Sequence, residues 1–196
     1  MKKAIASLTS VSAYSQSRHY SKDDVPALNK ESNDAYERRT WRHRMHINKD
    51  GFVEIPGTAF ANALKEGAKR LKLQVPGKGR VEYTKYFEAG VMCIDPLVLD
   101  VKADKVHGEE LFVPSDGRPG GGKRVTKWFP RIDSWSGDVT FWVLDDIITQ
   151  DVFTKVLTST GAIVGIGRFR PQSRGFYGRF SVDAIDWQEE VEAAAQ

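Results

Sequence analysis

Across Pro56-Gly57 the hydrophobic period of the chain changes from two residues to about 3.6. Phe52-Val53-Glu54-Ile55 reads as a strand. From Thr58 onward, Phe60, Leu64 and Leu71 fall on one helical face with the intervening alanines. A strand that feeds straight into an amphipathic helix must bury two apolar surfaces against each other, which points to layered α and β structure. Thr58 is placed to cap the helix over Ala59–Leu71. Gly67 inside it costs about 1 kcal/mol relative to alanine, so a close packing contact is expected there.

The rest of the chain can be arranged around this unit. Ala4–Arg18 alternates loosely and suits a first strand; Lys22–Tyr36 is polar and reads as a loop. Thr40–Ile47 alternates with one very basic side and is expected to be a second strand, joined to Phe52–Ile55 through the turn Asn48-Lys49-Asp50-Gly51. Val75–Trp135 reads as an inserted lobe of short strands, with a mobile glycine-rich loop over Ser115–Arg124. Val139–Asp146 is continuously apolar at its start, as a central strand would be. Thr149–Thr160 has helical periodicity, with Gly161 placed to stop it. Phe180–Trp187 alternates as a last strand. The resulting order, close to βαββαβ, predicts an α+β fold with a ferredoxin-like or RNA-recognition core over 1–74 and 136–190, a lobe over 75–135 and a tail over 191–196.

Composition narrows the class. With 40% hydrophobic residues in 196, the chain has enough to build a core, so wholesale disorder is excluded. No apolar run approaches the roughly 18 residues of a membrane span, and the N-terminus is too polar for a signal peptide, so a cytoplasmic location without membrane partners is expected. One cysteine, Cys93, excludes a disulfide framework. The net charge of +3 is unremarkable, but its distribution is not. Glu37–Lys49 carries five Lys/Arg against one acid, Ser115–Arg131 again five against one, and Gly165–Phe180 four arginines and no acid. Acids gather instead at Asp183, Asp186, Glu189, Glu190 and Glu192.

Each basic block also carries aromatics: Trp41 in the first, Trp128 and Phe129 in the second, Phe169, Phe176 and Tyr177 in the third. Arginine neutralises phosphate, and an aromatic face accepts any base, which is the pairing a single-stranded nucleic-acid groove needs. One such block is most simply a solvated face; three of the same make-up point to binding. The expected phosphate contacts are Arg38, Arg39, Arg42 and Arg44 from the Thr40–Ile47 region and Arg168, Arg170, Arg174 and Arg179 from the glycine-rich stretch. Phe169, Phe176 or Tyr177 would stack bases, and Lys123 and Arg124 would close the groove. Gly165 and Gly167 would let backbone N–H groups approach phosphates.

No cofactor or metal site is expected. His43 and His46 would lie on opposite faces of a strand, and Gly165-x-Gly167 precedes a strand and lacks a third glycine, so it is no dinucleotide fingerprint. Asp145-Asp146 suits capping of the next helix better than metal binding. A binding protein is therefore expected rather than an enzyme, with RNA cleavage by a histidine (His19 or His43) as the minority reading.

Two segments carry a family resemblance. Ile55-Pro56-Gly57-Thr58 with Leu64-Lys65 resembles the I-P-G-S-S-(L)-K-G-x-L-R helix start of the RAMP superfamily of CRISPR-associated proteins. Gly161–Phe180, ending Gly175-Phe176-Tyr177-Gly178-Arg179-Phe180, resembles that superfamily's glycine-rich loop, with one more residue between the glycines. Ala61 and Asn62 stand where the family has Lys and Gly. The subgroup most resembled is the backbone subunit that coats guide RNA in effector complexes. The resemblance implies an RNA-recognition-like core with a thumb-like lobe, a contact from Lys65, RNA rather than DNA, and a role in antiviral defence. It implies copies of itself and other effector subunits as partners. The size suits a stand-alone relative, such as one carried by a phage. The rival reading is a decoy or inhibitor of such a complex, acting through Trp135, Trp142 and the acidic tail.

Overall fold

The computed structural model describes residues 1–21, 23–115 and 122–189. Part of the Ser115–Arg124 loop and the acidic tail from residue 190 lie outside them. In chain order the elements are β1 (Lys2–Ser10), β2 (Tyr14–Ser15), α1 (Asn33–Thr40), β3 (Phe52–Ile55), α2 (Gly57–Leu71), α3 (Thr84–Gly90) and β4 (Val91–Met92). They continue with β5 (Leu97–Lys102), β6 (His107–Pro114), β7 (Arg124–Ile132), β8 (Ser136–Val143), α4 (Gln150–Ile163) and β9 (Phe180–Gln188).

Four strands form an antiparallel sheet in the order β4-β8-β1-β9. With α2 between β1 and β4, and α4 between β8 and β9, this is the ferredoxin-like arrangement of an RNA-recognition core. Alternation decides which face is covered. Ala4, Ala6 and Leu8 of β1 and Val139, Phe141 and Val143 of β8 are buried, and Phe141 meets Phe153 of α4 at 5.3 Å between ring centroids. Gly67 and Gly161 let this layer close tightly. A Cβ on Gly67 would collide with the Thr160 hydroxyl, and one on Gly161 with the Phe180 carbonyl oxygen. Gly161 therefore sits inside α4 and does not stop it. The chain turns at Gly165 (φ +69°), whose N–H donates back to the Thr160 carbonyl.

The start of α2 also differs from expectation. The helix begins at Gly57 after Pro56, and Thr58 makes no cap. A Cβ on Gly57 would lie 2.6 Å from the Cys93 carbonyl, so the close passage of the Cys93–Asp95 segment dictates glycine there.

The largest correction concerns residues 33–47. Thr40–Ile47 is not a strand: α1 ends at Thr40 and a 3-10 turn spans Trp41–Arg44. The buried positions Tyr36, Thr40, Trp41 and Met45 form a helical stripe. Ser32 caps α1 through its hydroxyl, which accepts from Ala35 N–H at 3.2 Å. The last four residues of the expected 22–36 loop, from Asn33 to Tyr36, are thus helical. Phe52–Ile55 pairs instead with β5, and its pairing with the preceding segment is limited to the Ile47–Val53 bridge and the turn beside it. The Asn48–Gly51 turn forms as expected, with Asn48 Oδ1 accepting from Asp50 and Phe52 N–H.

A second sheet, β2-β7-β6, stands apart from the first and consists mainly of the long β6–β7 hairpin. β2 covers only Arg131 and Ile132 of β7, and α1 with the 3-10 turn packs along the remainder. Trp41 fits against Gly108, where a Cβ would lie 2.7 Å from its ring. Among the described residues no helix is long and apolar enough to cross a membrane.

Candidate nucleic-acid interface

The three basic blocks, separated by up to 120 residues of chain, meet at the β6–β7 hairpin. Phe129 of β7 is the meeting point: the Arg168 guanidinium lies 3.5 Å from its ring centroid and that of Arg44 4.9 Å. Further along the hairpin, Arg38 lies over Trp128 at 5.6 Å, Arg42 over Trp41 at 4.3 Å and Arg124 over Phe112 at 5.7 Å. Arg131 lies over Tyr177 at 5.7 Å. Guanidinium groups and rings therefore alternate along one structural unit, holding the cations in place while leaving their edges for hydrogen bonds.

The arginines differ in what already satisfies them. Arg44 pairs with Glu37 at 2.8 Å, and Arg39 grips Glu31 with two bonds of 2.8 and 2.9 Å. Arg131 holds Asp133 and Glu109. Arg179 donates to the Ala162 and Phe176 carbonyls and so ties the glycine-rich loop to the end of α4. Arg168 has no ion pair among the described residues, and its Nη1 is buried without a partner, as are Arg44 Nε, Ser15 Oγ and Glu109 Oε2. Burial lowers the Arg168 pKa from its ordinary value, with Arg44 adding to the effect and Glu109 opposing it. Arg170 likewise buries an unpartnered Nε.

The glycine-rich loop is a folded knot. Ile166 N–H donates to the Gly178 carbonyl, Gly178 N–H to Ala13, Arg168 N–H to Ser15 and Tyr177 N–H to Phe169. Gly167 (φ +73°) leaves no room for a Cβ beside Tyr14 and Ser15, so packing alone accounts for that glycine. Three rings cap the knot, with centroids 5.3, 5.8 and 4.8 Å apart: Phe169, Phe176 and Tyr177. Phe169 (41% exposed) and Phe176 (56%) face solvent, whereas Tyr177 is buried and donates to Glu109 at 2.6 Å. Phe169 adopts φ +56°, a costly conformation for a bulky residue that holds its ring outward. Arg174 (φ +63°) is exposed on the same loop.

Lys123 and Arg124 stand exposed at the start of β7, across a slot from α1. Lys65 lies on α2, in the helix layer of the core. Trp135 is buried among Tyr14, Phe60 and Phe180, so it offers no surface to a partner. Asp145 accepts from Ile147 N–H, while Thr149 caps α4. His43 rests 5.6 Å from the Tyr20 ring, and among the described residues no group of three or more His, Cys, Asp and Glu could hold a metal ion. Sequence reasoning missed Glu109, Phe112 and Arg131 as members of the site. For Glu109 and Arg131 the signal lay in the hairpin register, in which Glu109 opposes Phe129 and Arg131 follows two residues later on the same strand as Phe129.

No known family model matches the sequence, and no curated protein matches it. Among solved structures, the chain is similar to the crystal structure of Cmr6 from Pyrococcus furiosus, with a TM-score of 0.46, 13% identity, 93% of this chain and 99% of the other covered. It is also similar to a chain of a CRISPR RNA-guided surveillance complex, with a TM-score of 0.38, 9% identity, 94% of this chain and 68% of the other covered.

Proposed function

We propose that this protein binds single-stranded nucleic acid along the β6–β7 hairpin and the glycine-rich loop, acting as a CRISPR-associated coating protein rather than an enzyme. The observation that carries this reading is the convergence of Arg44 and Arg168, from two distant basic blocks, on the Phe129 ring of the third. A half-buried guanidinium that lacks an ion pair and leaves Nη1 without a hydrogen-bond partner is costly, and an incoming phosphate lowers that cost. Phe169 and Phe176 beside it supply exposed faces for bases. RNA in place of DNA, assembly of copies along the strand and contacts with other effector subunits rest on the resemblance of Ile55–Lys65 and Gly161–Phe180 to the RAMP superfamily.

The test is fluorescence anisotropy with single-stranded RNA, single-stranded DNA and duplex over a range of salt. Tight binding to RNA single strands is expected, with a log–log salt slope of roughly −0.7 per neutralised phosphate. Electron microscopy of the bound species should show regular arrays. If none of the three nucleic acids binds, the reading fails and a protein partner, met through Trp142 and the acids of β9, becomes the account to pursue.

A further inference from the structure

Between the first turns of α1 and the start of β7 runs a slot of about 460 Å³, a volume suited to one nucleotide. Arg124 and Lys127 of β7 line it together with Lys123 just before that strand, and Asp34 and Glu37 line it from α1. Glu37 is already engaged by Arg44 at 2.8 Å. Asp34 has no ion pair among the described residues, and neither do the three cations facing it. Phe112, 64% exposed, flanks the cations with the Arg124 guanidinium 5.7 Å from its ring centroid.

A ligand that satisfies all three features has an anionic end for the lysines, a flat face for Phe112 and Arg124, and hydrogen-bond donors for the Asp34 carboxylate. We infer that the slot holds one nucleotide of the bound strand and selects a base whose pairing edge carries an exocyclic amino group, with Asp34 as the residue that reads it. Cytosine fits by donating from N4, whereas uracil presents its O4 acceptor to the same carboxylate and is rejected. Phosphate contacts elsewhere on the hairpin carry no such information. The inference rests on strand binding as proposed above and adds to it a preference that the arginine–aromatic pairs do not supply.

The test compares oligocytidylate with oligouridylate RNA of equal length at one salt concentration, so that phosphate and pyrimidine stacking are matched. The wild type should bind the cytidine strand about tenfold more tightly. Asp34→Ala should bring the ratio close to one, mainly by weakening the cytidine strand. Asp34→Asn, which keeps an acceptor and the first turn of α1, should retain part of it. Phe112→Ala should weaken both strands alike and leave the ratio. A wild-type ratio near one, or a preference that survives Asp34→Ala with circular dichroism unchanged, overturns the inference while leaving strand binding intact. Failure of both strands to bind overturns the function itself, and this slot with it.

Discussion

The two larger sheets described in this molecule expose faces of opposite character. The uncovered face of the four-stranded sheet presents Lys3, Ile5, Ser7 and Thr9 of β1 beside Asp138, Thr140 and Trp142 of β8, with Asp183 and Asp186 of β9. Its carboxylates are anchored: Asp138 accepts from Ser7, Asp183 from Thr9 and Asp186 from Gln188, all within 2.6–2.7 Å. Its lone tryptophan lies under Lys3 at 5.7 Å. The β6–β7 hairpin carries guanidinium groups over aromatic rings throughout. In RNA-recognition folds the sheet face is where bases stack. Here carboxylates occupy that face, and the arginine–aromatic pairs of the proposed site lie on a hairpin outside the core. Shared topology therefore does not locate the site; the side chains do.

The sharpest way to break this contrast is to remove cations from one side and acids from the other. Arg44→Ala combined with Arg168→Ala should lower single-strand affinity by about a hundredfold and flatten the salt slope by roughly 1.4, two contacts' worth, in anisotropy titrations. Asp186→Ala should change it by no more than about twofold. The reverse pattern would return the strand to the sheet face.

Core packing should separate from binding. Gly161→Ala drives a methyl into the Phe180 carbonyl, and the overpacking, partly offset by better helix propensity, should cost about 1–2 kcal/mol. Calorimetry would register this as a Tm lower by several degrees, while affinity at low temperature stays the same. Trp142→Ala is a finer probe: strand affinity within about twofold of wild type supports the contrast, and a tenfold loss contradicts it.

The smallest effect concerns the segment before α1. Hydrogen bonds from Arg39, then from Leu28 N–H, hold the Glu31 carboxyl at about 2, below its ordinary 4.5. A carboxylate whose pKa falls on folding stabilises above its unfolded value and loses that contribution as pH drops through the folded one. Glu31→Gln should thus lower Tm slightly at pH 6, with the difference gone near pH 2.

Legibility in the sequence followed how regular each burial pattern is. β1 and β8 alternate and α2 keeps an apolar stripe, so these elements could be read directly, whereas β4, two residues long, fell within the span expected to be the lobe. Residues 33–47 could not, because the stripe Tyr36–Thr40–Trp41–Met45 includes a threonine and is crowded by arginines, whose spacing at 38, 42 and 44 imitates a strand. The glycine at 161 looked like a stop because its real cause, the Phe180 carbonyl, is contributed by a strand 19 residues further on. The basic blocks were visible one at a time. Their meeting on Phe129 was not, since no local pattern reports which residue of a hairpin a distant loop will touch.

β9 leaves one edge of the four-stranded sheet unpaired over nine residues, Phe180–Gln188. An edge of that length is a template for runaway growth, in which neighbouring molecules extend one another's sheet into insoluble fibres. Asp183 and Asp186 are placed to prevent it. A second molecule docking its own β9 antiparallel to the first would bring carboxylates against carboxylates, which is unfavourable for every added copy. The acids that set the charge of this sheet face therefore also make its edge a poor template for another copy.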